Sequence, residues 1–170
     1  MRTSARRIFP RCSILALTFA LLLFGAAPLL GAEYAALEGV DRLDTVVDYT
    51  NGSAKEATLI FPAIREIYQD KSVTSLKEEP RTVIIFHGEA VNLITTDRKG
   101  KGKDHQAYEE VAKMIRQFKE EGVKMEVCMY AVKVMGVDPA TLMPEIDQVG
   151  NGFIAAAGYQ AQGYSLIPVP

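Results

Sequence analysis

Tryptophan is absent from this 170-residue chain, and histidine and cysteine occur only twice each. Two histidines and two cysteines at no metal-like spacing give no support for a zinc site, so no metal is expected. No Cys-x-x-Cys is present, which removes the dithiol of a thioredoxin-type oxidoreductase. No Gly-x-Gly-x-x-Gly follows a strand, so a dinucleotide would lack its phosphate cradle, and a serine-hydrolase elbow is missing as well. No cofactor is implied. Basic residues are not in excess either: 19 Lys and Arg stand against 21 Asp and Glu. Arg2, Arg6, Arg7 and Arg11 precede an apolar run and every acid lies beyond Ala32, so the remainder carries about −6 by formal counting. Nucleic-acid affinity rests on neutralising phosphates, so nucleic acid is not an expected partner.

What is present begins with that apolar run. The four arginines lead into Ile14 to Phe24, which is uncharged, and small residues follow at Gly31-Ala32. This is the layout of a secretory leader over residues 1–32, with cleavage expected after Ala32 and Ala27 as the alternative site. An uncleaved anchor is the rival, since the run approaches the ~18 residues a spanning helix needs. Arg6-Arg7 resembles a twin-arginine export signal, but Pro10 departs from that pattern, and general secretion is the favoured route. Either route predicts a periplasmic or secreted protein, with no membrane association after cleavage. Cys12 would leave with the leader. Cys128 then stands alone in an oxidising compartment, where no intrachain disulfide is available to it.

The remaining chain, about 138 residues, fits one domain. Residues 33–43 read as a short tail, and residues 44–170 as the fold proper. Strands are expected at Thr45–Tyr49, Arg81–Phe86, Val123–Val127, Glu145–Val149 and Tyr164–Pro168. Helices are expected between them at Ala54–Asp70, His105–Glu121, Met129–Val134 and Phe153–Gln162, with a short one over Glu89–Thr95. In the first, Leu59, Ile60, Ala63, Ile64 and Ile67 form the expected buried stripe, and Pro62 suggests a kink or a late start. Gly122 is placed to end the His105 helix in left-handed conformation. The strand Val123–Val127 alternates apolar and charged residues, which predicts partial exposure, an edge position or cover on one face only. Asp97–Asp104, rich in Lys, Arg and Gly, reads as a solvated loop, with an anion-attracting lid over a nearby site as the alternative. The alternation specifies an α/β fold, a three-layer sandwich with a mostly parallel sheet of about five strands.

Ligands of such sheets gather at the carboxyl ends of the strands. Asn51, His87 with Gly88, Cys128 and Asn151 end four of the expected strands and so share one rim. Asn51, Gly88 and Asn151 are the candidate ligand-binding residues, and Cys128 and His87 the candidate catalytic ones. A thiol reacts as thiolate, and the unpaired N–H groups of a helix start favour that anion. A neighbouring imidazole would favour it further or accept its proton. A free cysteine is also among the most buried residue types, so an inert structural thiol is the alternative.

The ordered motifs carry a resemblance. Val83-Ile84-Ile85-Phe86-His87-Gly88 leads to Ala90-Val91, and Gly122-Val123-Lys124 leads to Cys128-x-x-Ala131 and Gly136. Asp138-Pro139, Pro144-Glu145 and Gln160-x-Gln162-Gly163-Tyr164 follow. In this order the chain beyond about Asp44 resembles the DsrE/DsrF-like family, which includes small sulfur-relay subunits. The resemblance implies a three-layer α/β fold and homo-oligomers, commonly trimers or hexamers. It also implies a role for Cys128: in the relay members the cysteine at this position receives sulfur as a persulfide and passes it on. Small sulfur species or a thiol partner protein would then be the partners. The export leader is the departure, because relay members work in the cytoplasm. The function expected is a periplasmic sulfur carrier or sulfurtransferase-like protein acting through Cys128. The alternative is a non-catalytic homo-oligomeric binding module with a structural cysteine.

Overall fold

The computed structural model describes residues 34–97 and 102–170. The expected leader with Cys12, and Arg98 to Lys101 of the basic loop, lie outside the described residues. The described part, beginning at Tyr34, clusters as one compact unit. Its elements run in the order β1 (Asp44–Tyr49), α1 (Ala54–Gln69), α2 (Lys71–Thr74), β2 (Arg81–Phe86), α3 (His105–Glu120), β3 (Lys124–Cys128), α4 (Met129–Val134), β4 (Asp147–Val149), α5 (Gly152–Ala161) and β5 (Ser165–Val169). Short 3₁₀ turns cover Ala35–Leu37, Gly88–Asn92, Gly102–Asp104 and Pro139–Thr141. The segment after His87, expected as a helix, is thus a 3₁₀ turn.

The sheet has five strands in the order β4-β3-β2-β1-β5, and every neighbouring pair is parallel. β1 to β4 progress outward in one direction and β5 returns to the other side of β1. The residues that alternate along each strand therefore face two different helix layers. Val47, Tyr49, Ile84, Phe86, Met125 and Val127 pack with Ala57, Phe61 and Ile64 of α1 and with Val111, Ile115 and Phe118 of α3. The aromatic centre of this layer is Phe61, whose ring centroid lies 5.3 Å from Tyr49 and 5.4 Å from Phe118. On the opposite face Val46, Val83 and Ile85 pack with Ala156 of α5. The three layers are helix, sheet and helix, with α5 supplying the second outer layer.

Two local expectations are corrected by the packing. α1 begins at Ala54 and runs on through Pro62, so the late start does not occur. Its buried stripe is Ala54, Ala57, Phe61 and Ile64; Leu59, assigned to the stripe, is 77% exposed. β3 is not an edge strand, since it lies between β2 and β4. Glu126 in it is only 4% exposed. Tyr159 of α5 donates its hydroxyl hydrogen bond to Glu126 Oε1 at 2.7 Å, and Lys124 Nζ lies 2.8 Å from the same oxygen. Glu126 is thus covered by α5 and paired beneath it, while Lys124 reaches it from the exposed start of the strand.

Candidate functional site

The all-parallel sheet brings all strand ends of one kind to one rim. Along it, in sheet order, come Asn151 after β4, Cys128 at the end of β3, His87 and Gly88 after β2, and Asn51 after β1. Cys128 ends β3 and is the residue before α4, with Sγ accepting a hydrogen bond from Ala131 N at 3.4 Å. It is 3% exposed. The start of α5 presses on it: a Cβ added at Gly152 would lie 3.1 Å from Cys128 Cβ and 3.2 Å from Ile85 Cγ2. Only a residue without a side chain lets α5 approach the thiol this closely.

His87 stands beside it. Phe86 is in register with Val127, and His87 and Cys128 are the residues that follow on the two adjacent strands, His87 staying extended at φ −149°. Neighbouring strands are about 4.8 Å apart, and residues in register share a face. Both therefore lie on the α5 side of the sheet. His87 is 5% exposed, and its ring meets that of Phe153 edge-on, with centroids 5.1 Å apart. Its Nε2 bonds to Asp48 Oδ1 of β1. An ionised carboxylate only accepts, so this nitrogen carries the hydrogen and Nδ1 is left for other partners. The hydrogen bond of His87 thus goes to Asp48 and that of Cys128 to Ala131. Cys128 ends β3, His87 follows β2, and Asp48, in register with Ile85, reaches His87 from β1.

The other rim candidates are committed to the chain itself. Asn151 caps α5 by accepting from Phe153 N at 2.9 Å. Asn51 accepts from Ser53 N at 2.8 Å and donates to Glu56 Oε2 at 2.7 Å and to the Pro170 carbonyl at 3.1 Å. Gly88 adopts φ +57°, which turns the chain into the 3₁₀ segment. His105, the other histidine, is exposed at the start of α3. No cluster of three or more His, Cys, Asp or Glu able to hold a metal occurs among the described residues. A cleft of about 580 Å³ opens elsewhere, at the amino ends of β2 and β3, lined by residues that include Arg81, Lys124, Tyr159 and Tyr164.

Asp48, Gly152 and Phe153 escaped the sequence reading. A signal for Asp48 exists, as it is a carboxylate between Val47 and Tyr49 within an apolar strand. The contacts of Gly152 and Phe153 depend on the crossover of α5, which no local window contains.

Residues 43–169 match the DsrE/DsrF-like family along almost the whole described fold. The chain belongs to this family. It is thereby related to sulfur-relay proteins. Among solved structures, the chain is similar to MTH1491, a protein of unknown function from Methanobacterium thermoautotrophicum. Identity is 19%, the TM-score is 0.53, and the match covers 75% of this chain and 98% of that one. It is similar also to the ychN protein of E. coli, at 16% identity and a TM-score of 0.48, covering 75% and 99% of the two chains. The likeness to the Methanobacterium protein is one of fold. No curated protein matches. Among the described residues, no helix of this DsrE/DsrF-like protein is long and apolar enough to cross a membrane.

Proposed function

We propose that this DsrE/DsrF-like protein is an exported sulfur carrier in which Cys128 accepts a sulfane sulfur as a persulfide and hands it to a thiol acceptor. The single observation that carries the reading is the placement of Cys128. Within a family related to sulfur-relay proteins, the one cysteine among the described residues ends a strand on the ligand-gathering rim, next to the strand that a histidine follows. Exchange at sulfur needs a thiolate and a path to it. The leader-like layout of residues 1–32 supports export to the periplasm or the cell exterior, and family membership supports assembly into a homo-oligomer, whose mass light scattering would give. The mature protein, exposed to polysulfide and weighed intact, is expected to gain the mass of added sulfur, and Cys128→Ser to gain none. No adduct on wild type, or an equal one on the variant, overturns the reading.

Burial of Cys128 favours a second reading, a binding module in which the thiol only packs. Free cysteines are commonly inert core residues. A mature protein that stays unmodified both by polysulfide and by a small alkylating reagent, while folded, would establish that reading instead.

A further inference from the structure

We infer that His87, held by Asp48, is the proton donor to the thiol that leaves when Cys128 takes up sulfur, and that Asp48 is its positioning residue. The inference rests on the sulfur-carrier reading. Displacement at a disulfide sulfur is in line, so nucleophile and leaving sulfur stand at opposite ends of a three-sulfur array. With an S–S bond of about 2.05 Å, somewhat stretched during exchange, that array spans roughly 4–5 Å. One step between neighbouring strands is about 4.8 Å. His87 and Cys128 each follow directly on the register pair Phe86 and Val127, and both lie against the start of α5, so about one such step separates them. A sulfur leaving toward β2 therefore arrives at the imidazole and not in bulk water.

The ring is arranged for this. Its Nε2–H is engaged by the Asp48 carboxylate, which fixes the ring, and the Phe153 ring packs on it edge-on. Nδ1 is then the nitrogen that meets the substrate. For a low-molecular-weight persulfide R–S–S–H, the Cys128 thiol first gives its proton to His87. The resulting thiolate attacks the outer sulfur of the donor. The new Sγ–S bond forms as the donor S–S bond breaks, and the R–S⁻ released takes the proton from the imidazolium. The products are Cys128–S–S–H, R–S–H and neutral His87, so one sulfur has moved and no external oxidant or reductant is consumed.

General acid assistance matters most where the leaving thiolate is strongly basic. This gives a test that separates proton donation from mere support of the fold. The mature protein, His87→Gln and Asp48→Asn are each reacted with glutathione persulfide, whose leaving thiol is weakly acidic, and with an aryl disulfide, whose leaving thiol is strongly acidic. The expected result for His87→Gln is a loss of about 100-fold or more with the persulfide, within the usual range for acid–base assistance, and a clearly smaller loss with the aryl disulfide, where only removal of the Cys128 proton is affected. Asp48→Asn should show a smaller loss of the same selectivity. A far-UV spectrum like that of the wild type reports that each variant is folded, and its intact mass that the thiol is unmodified. Equal losses with both reagents, or no loss with either, overturn the inference while leaving the carrier reading in place. A wild-type protein that takes no sulfur overturns the carrier reading itself.

Discussion

At the residue scale, several polar side chains sit where apolar ones would be expected. Tyr49 is fully buried among Phe61 and Phe86, its hydroxyl has no partner among the described residues, and burial pushes its pKa up to about 12. A buried hydroxyl without a partner forfeits its hydration and gets nothing in return. Tyr49→Phe keeps the ring packing and removes that penalty, so it should stabilise the fold by about 1 kcal/mol. Urea unfolding measures this, and a fall in the midpoint would show that the hydroxyl has a partner such as an enclosed water. Cys128 and His87 were legible as rim residues because each directly ends an apolar strand. Their state was not, since burial and the Asp48 bond come from neighbouring strands distant in sequence.

At the element scale, α5 decides how the candidate site is covered. It is the helix that packs on the second face of the sheet, and its first residue lies against the thiol. Gly152→Ala would set a methyl within 3.1 Å of Cys128 Cβ. The helix start must then shift by a few tenths of an ångström, and alkylation of Cys128 is expected to speed up while the far-UV spectrum stays the same. An unchanged alkylation rate would mean that α5 does not limit access. Helix and strand order were readable from periodicity, whereas finer placement was not. Leu59 was misassigned because the stripe of α1 is phased on Phe61, and a proline in mid-helix hides that phase. β3 was misjudged because the residue that hydrogen-bonds both of its charges, Tyr159, enters from α5, 33 residues after Glu126.

At the scale of the whole molecule, the two helices of the larger layer are joined at their ends by ionic contacts. Arg65 and Tyr68 of α1 both bond to Glu121 just past α3, and Gln117 donates to it at 3.0 Å. The Arg65 guanidinium, with smaller help from Tyr68 and Gln117, holds the Glu121 carboxyl at about 2, below its ordinary 4.5. A depressed carboxylate stabilises the fold fully above its unfolded value and ceases to do so as pH falls through its folded value. Part of the stability is therefore expected to vanish between pH 4.5 and about 2. Glu121→Gln should flatten the melting-temperature profile in that window, and a profile as steep as wild type would assign the acid sensitivity to other groups. The sheet has a comparable safeguard in the charges of β3. Lys124 and Glu126 face α5, while Met125 and Val127 face the aromatic layer. Sliding β3 by one residue against β2 would drive an ammonium and a carboxylate into the Phe61–Phe118 cluster and strip both of Tyr159. The mispaired sheet is thereby penalised at two positions at once, so the same alternation that suggests an exposed strand instead keeps Cys128 level with His87.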